Sequence, residues 1–362
     1  MKRKLLPLLI AGLTAASANV ALAGAPTVYG KVNVTVHKND FQSVSGGAAV
    51  DSTDNWSMES NASRLGVKGD YDISADMKAI YKLEYEVDVD NGTNSNSREF
   101  SARNIYAGLQ GGWGTLIAGR NDTPLKLSQG EVDRFNDLPI ADITNLMVGE
   151  NRADNMIMYS TPNFSGFGFT LGLVSGEDDG VTTGEDDDSL TDSISAAATY
   201  MNSMLYLAIA MDSNVNENTD AVRLVGEVNL GPGKIGAIYQ TAEGSDDEDL
   251  ISSVRGDAPS FDAAIPGKGT GFDEQDAWVI NGEVKLGGPW KLKAQYGVSE
   301  SSTADGFEDA EATLMAAGID YKLNDNAKLF AYYASLETEG DAAFTTDAVE
   351  DKTFAVGFDF KF

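Results

Sequence analysis

The last nine residues constrain this chain more than any others. From Phe354 to Phe362 the sequence alternates without a fault: Phe354, Val356, Phe358, Phe360 and Phe362 share one side, and Ala355, Gly357, Asp359 and Lys361 share the other. Only an extended strand has a period of two, so one face is wholly apolar and the other polar or small. In a soluble sandwich the apolar face would turn to a core. In a membrane barrel it turns outward to lipid, and the polar face lines the interior. The start of the chain repeats the pattern, with Val28, Gly30, Val32, Val34 and Val36 opposite Tyr29, Lys31, Asn33, Thr35 and His37. The segment 77–89 does the same, with Tyr81, Leu83 and Tyr85 opposite Lys82, Glu84 and Glu86.

Carried along the chain, this reading predicts sixteen strands. They fall near 27–37, 55–70, 75–89, 98–110, 113–120, 152–160, 167–175 and 193–201. The remainder fall near 204–212, 220–230, 234–242, 276–286, 290–300, 309–323, 327–337 and 351–362. An even count is what a closed antiparallel barrel requires. Short connections such as Gly111-Gly112, Asn202-Ser203, Gly231-Pro232-Gly233 and Asn324-Asp325-Asn326 alternate with long polar ones such as 176–192 and 243–275. Short turns on one side and long loops on the other mark a barrel threaded from the periplasm. Lipid offers backbone groups no hydrogen-bond partner, so closure is needed, and sixteen strands enclose more width than side chains fill. The expected fold is therefore all-β: a 16-stranded antiparallel transmembrane β-barrel with short periplasmic turns and long outer loops.

The N-terminus sets the compartment. Lys2, Arg3 and Lys4 precede an apolar run from Leu5 to Ala18, and Ala21-Leu22-Ala23 supplies small residues for cleavage. This is the layout of a secretory signal peptide over residues 1–23, leaving 24–362 as one barrel domain. Without the leader's three cations, 23 Lys and Arg face 56 Asp and Glu, a formal charge of −33. Such a balance excludes nucleic acid as a general partner. There is no cysteine and one histidine, His37. Thiolate metal sites, His clusters and Ser-His triads are thereby removed, and no cofactor, metal ligand or catalytic residue is named.

Several motifs carry a family likeness. Tyr29-Gly30-Lys31, the run Ser63-Arg64-Leu65-Gly66-Val67-Lys68-Gly69, and Arg103-Asn104-Ile105-Tyr106-Ala107-Gly108-Leu109 resemble strands one, two and four of the trimeric general porins of Gram-negative outer membranes. Gly119-Arg120-Asn121-Asp122-Thr123-Pro124 is similar to the start of their third loop, and Asn151-Arg152-Ala153 through Pro162 to its exit. The terminal Phe362 resembles the outer-membrane insertion signal. The likeness implies that loop 121–151 folds into the barrel and narrows it, its acids facing a basic ladder on the wall. Carried over, the ladder is Lys31, Arg64, Arg103 and Arg152, and the loop acids are Asp133 and Asp137, with Glu131 and Asp142 as further candidates beside Asp122 and Glu150. Parity supports the ladder: Lys31 lies on the polar face, Arg103 is out of phase with Tyr106, and Arg152 with Ile157 and Tyr159. An arginine turned to lipid at the midplane costs about 2–4 kcal/mol. Arg120 reads equally as a structural partner at the loop hinge or as a pore residue.

The resemblance implies a homotrimer in the cell outer membrane, in contact with lipid and lipopolysaccharide, passing small hydrophilic solutes and ions. The acidic runs Glu177-Asp178-Asp179, Glu185-Asp186-Asp187-Asp188 and Asp246-Asp247-Glu248-Asp249 fall on predicted outer loops. They read either as a solvated surface or as weak divalent-cation binders, and with the net charge they lead to an expected cation preference. A basic ladder acts the other way. A solute-specific channel is not separated from a general porin by these features, whereas a barrel enzyme lacks an activated nucleophile and a plugged adhesin needs fewer strands.

Overall fold

Alternating strands can satisfy their backbones in lipid only by pairing in sequence and then closing. A computed structural model shows this arrangement for residues 25–45, 48–92, 100–175, 191–216, 219–244, 274–302, 310–339 and 348–362. The first strand segments are β1 (Thr27–Ser45), β2 (Ala48–Ser60), β3 (Arg64–Ser74), β4 (Met77–Glu86), β5 (Ser101–Gly111) and β6 (Gly114–Asp122). After the third loop come β7 (Arg152–Ser160), β8 (Phe167–Val174), β9 (Ser193–Met201), β10 (Leu205–Asn216), β11 (Thr219–Asn229) and β12 (Gly233–Gly244). The last are β13 (Glu274–Gly287), β14 (Trp290–Ser302), β15 (Ala310–Lys322), β16 (Ala327–Glu339) and β17 (Ala348–Lys361). β2 and β3 both pair with β1 and form one interrupted stave, so seventeen segments make a sixteen-stranded barrel. Closure comes from β1 against β17, antiparallel from Lys31 opposite Lys361 to Val44 opposite Ala348. The predicted leader, residues 1–23, lies outside the described residues, as do the three acidic runs.

Two features depart from the predicted strands. β1 and β10 run eight and four residues beyond their predicted outer ends, β12 and β16 two each, and β17 begins three residues earlier. Alternation is lost there because both faces are polar, yet the ladder bonds continue. The second stave breaks at Asn61–Ser63, where Ala62 adopts a positive φ of 48°. Side chains replace the missing ladder: Ser63 Oγ accepts from the Asn33 N–H at 2.9 Å and donates to the Asn33 carbonyl at 3.1 Å. Asn61 Nδ2 donates to Thr35 Oγ1 at 3.1 Å.

Outward side chains are apolar and exposed, among them Val36, Ile209, Leu224, Ile280, Leu292, Phe354 and Val356. Aromatic pairs cluster beside the short turns, with Trp113 stacked on Tyr159 and Trp290 edge-on to Tyr321. Such rings mark the membrane–water boundary.

Inside, the third loop forms the centre of the molecule. Its first turn, α1 (Pro124–Leu127), is capped by Thr123, whose Oγ1 accepts from the Lys126 N–H at 3.2 Å. Beyond it Val132, Phe135, Ile143, Leu146 and Met147 are buried against Val225, Ile238, Val279, Leu314 and Tyr332 of the wall. Small residues make room: a Cβ on Gly297 would lie 2.5 Å from Leu146 Cδ1, and one on Gly236 3.0 Å from Val132 Cγ1. The inward face is thus apolar under the loop, on β10–β16. The opposite side is polar around Lys31, Arg64, Glu84 and Arg103, with one apolar patch at Ile117, Met156 and Met158 on β6 and β7.

The candidate channel constriction

The loop crosses the lumen and presents Asp137 to the polar wall. Asp137 Oδ2 accepts from Lys31 Nζ and from Arg64 Nη2, each at 2.8 Å. Lys31 is on β1 and Arg64 opens β3, directly opposite in register. Burial alone would raise the Asp137 carboxyl, but Lys31, Arg64 and Arg103 together hold it down to about 2. Its backbone has a φ of 65°, and its N–H donates to Asp142 Oδ2 at 2.7 Å.

The other two ladder residues have partners on the wall and at the loop's root. Arg103 Nη1 donates to Glu86 Oε2 at 2.5 Å, and its Nε lies 3.5 Å from Glu84 Oε1. Arg152 Nη2 is 2.9 Å from Asp122 Oδ1, while its Nε donates to Asn104 Oδ1 at 2.9 Å. Lys82 adds a further cation, 3.3 Å from Glu84, and Lys126 another, 3.5 Å from Asp122. Arg103 is buried on the inner side for a reason that its phase against Tyr106 does not give. Tyr106 itself turns inward, packing toward Ile117, Met156 and Met158. Arg103 joins Asn104 inside because the β4–β5 register shifts between Leu83 and Tyr85, allowing consecutive residues to face one way.

The remaining loop acids do not face the ladder. Asp133, paired with Asp137 in the sequence-based expectation, is buried and accepts from the Phe135 N–H at 3.0 Å and the Ile143 N–H at 3.4 Å. Burial first, and then the Asp142 charge, raise its carboxyl well above the ordinary value. Asp142 caps the 3-10 turn Ile143–Asn145, accepting from the Thr144 N–H at 2.9 Å, and burial raises it to about 6. These acids staple the loop to itself, because a loop inside a barrel has backbone donors that water cannot reach. Glu131 turns to the far wall, where Lys234 Nζ donates to it at 2.8 Å. Arg120 pairs with Asp154 at 2.9 Å and sits opposite Ile105, whose other neighbour is the exposed Leu83. It therefore lies on the outward side of the wall, away from the narrowing.

Sequence reasoning missed the anchors that hold the loop. Arg223 on β11 is fully buried; its Nη1 donates to Glu150 at 2.5 Å, its Nε to Gln240 Oε1 at 2.8 Å and its Nη2 to the Val148 carbonyl at 3.2 Å. Arg134 pairs with Glu227, and lies 3.8 Å from Glu283. Lys293 donates to the Arg134 carbonyl at 2.9 Å and lies 4.3 Å from the centre of the Phe135 ring. Their inward parity was readable: Arg223 shares phase with Ala221 and Val225, and Lys293 with Gln295. The loop segment that each would meet was not.

A single closed antiparallel barrel with a loop folded across its lumen defines the class of transmembrane channel. Comparison with known proteins narrows it. The Gram-negative porin family matches residues 9–341, and the chain belongs to it. An outer membrane porin protein of Bordetella pertussis is 26% identical over 391 residues, covering 97% of each chain. Outer membrane porin protein 32 of Delftia acidovorans is 24% identical over 294 residues, 77% of this chain and 75% of its own. Among solved structures, an anion-selective porin from Comamonas acidovorans superposes with a TM-score of 0.66 at 20% identity, over 94% of this chain and all of its own. The chain is thus an outer-membrane porin, and its relatives are channels rather than enzymes.

Proposed function

We propose that the chain passes small hydrophilic solutes and ions by passive diffusion, and that its ion preference is set where Asp137 meets the wall. The carrying observation is the local charge. Lys31, Arg64, Lys82, Arg103, Lys126 and Arg152 bring six cations to the narrowing, against five carboxylates from Glu84, Glu86, Asp122, Asp137 and Asp142. The strong negative charge of the whole chain supports the opposite preference. From Lys31 to the outer end of β1, however, the wall at about 3.3 Å per residue spans several times the roughly 8 Å over which salt screens exposed charge. The mouth acids enrich cations there without governing the narrowest point. The reading is therefore a porin with a modest anion preference, which revises the cation preference expected from composition. Assembly as a homotrimer in contact with lipopolysaccharide belongs to the same reading, supported by membership of the family.

The test is single-channel recording of purified protein in a planar bilayer, with reversal potential across a KCl gradient. Large steps with the reversal potential on the chloride side are expected. A potassium-side value would return the preference to the acidic mouth. Absence of steps from inserted protein would end the channel reading.

A further inference from the structure

The contact between Asp137 and the wall has the form of an occupied binding site. Lys31 and Arg64 face each other across adjacent strands, and like charges in that position repel unless an anion sits between them. Glu86, opposite Arg64 on β4, is itself paired with Arg103, so the wall favours a further anion between Lys31 and Arg64 whichever group supplies it. In this structure one oxygen of Asp137 meets the demand from the tip of a loop whose mass is fixed elsewhere, by Phe135 and Leu146 on the far wall and by Glu150 on Arg223. The Lys31 and Arg64 side chains keep 13% and 21% of their surface, so a solute can reach them.

We propose that Lys31 and Arg64 form a binding site for the carboxylate of a passing solute, and that Asp137 is its resident competitor. The proposal rests on the porin reading above. Exchange replaces one carboxylate by another, leaving the clamp's charge and hydrogen bonds unchanged while Asp137 turns to water. A guanidinium matches two carboxylate oxygens in its plane, a fit that chloride lacks. A competitor built into the loop keeps binding weak, and conduction needs a solute that leaves as readily as it enters.

The experiment adds propionate to chloride-carrying single channels and reads the concentration that halves the current. Wild-type protein should show weak, saturable block. Asp137→Asn and Asp137→Ala, which remove the competing charge, should each lower the half-blocking concentration at least about tenfold. The double variant Lys31→Gln/Arg64→Gln should lose the block while still carrying chloride, and Lys234→Gln, a lumen cation on the other wall, should leave it unchanged. An unaltered half-blocking concentration in both Asp137 variants, or block persisting in the double variant, would overturn the site. Chloride steps and reversal potential recorded on the same channels report the porin reading separately. A potassium-side reversal together with propionate block enhanced by Asp137→Asn would overturn the ion preference and support the clamp.

Discussion

Arg223 is the most consequential single side chain holding the third loop, and its removal has a calculable result. In Arg223→Met the hydrocarbon fills much of the same space, but Glu150 is left buried without its cation and Gln240 Oε1 without its donor. Stranding one member of a buried ion pair costs about 3–5 kcal/mol. Undocking the loop exit relieves that cost by returning Glu150 to water. Every 1.4 kcal/mol is tenfold, so the undocked population should rise by about two to three and a half orders of magnitude. The chain has no cysteine, so Val148→Cys, at a site 2% exposed, supplies one reporter thiol beside the anchor. Its labelling rate by a water-soluble reagent follows the undocked population as long as redocking outpaces labelling. Adding Glu150→Gln to Arg223→Met removes the stranded charge and should bring the rate back to within about tenfold of the parent. A rise below about threefold in Arg223→Met, or equal rates in the single and double variants, would show that the ion pair does not secure the loop.

Two further outcomes follow from the same geometry. Arg103→Gln leaves Glu84 and Glu86 without their shared cation; a unit charge acting at about 4 Å through water is worth about 1 kcal/mol, so the chloride-to-potassium permeability ratio should fall about fivefold, read as a reversal potential. For pH, Asp142 sits at about 6, above its ordinary 3.8, so between those values the folded chain holds a proton that the unfolded chain has lost. Stability from this group is greatest below pH 4 and declines as pH rises through 6, whereas Asp137, held at about 2, stays charged throughout that window. Thermal unfolding should occur at a higher temperature at pH 5 than at pH 8, and Asp142→Asn should flatten that difference; a slope unchanged by the substitution would assign it to other groups.

Much of the barrel could be read from alternation because lipid imposes it on every stave. Phe354 to Phe362 and Val28 to His37 show the face directly, and turns such as Gly231-Pro232-Gly233 show where each strand reverses. What alternation reports is side, not depth or partner. It placed Lys31 inward but could not show that Asp137, rather than Asp133, would reach it: a loop has no period, and the choice is made by Phe135 and Leu146 packing on the far wall. The break at Asn61–Ser63 was equally invisible, since Ser63 and Asn61 replace ladder bonds with side-chain bonds that leave no trace in the apolar pattern. The far-wall pairs among Glu227, Arg134, Glu283 and Lys293 needed both the register and the path of the loop before they had meaning.

The seam between β1 and β17 governs how the chain reaches its final state. Lys31 sits opposite Lys361, so the contact that removes the last free edge joins segments separated by nearly the whole sequence. Contacts of such separation are the slowest to form, because the entropy of bringing distant segments together must be met before any bond rewards it. Until then both terminal strands are open templates for other chains. A polypeptide of this kind gains its edge-free form only in its final step, so its journey to the membrane depends on being kept from pairing early.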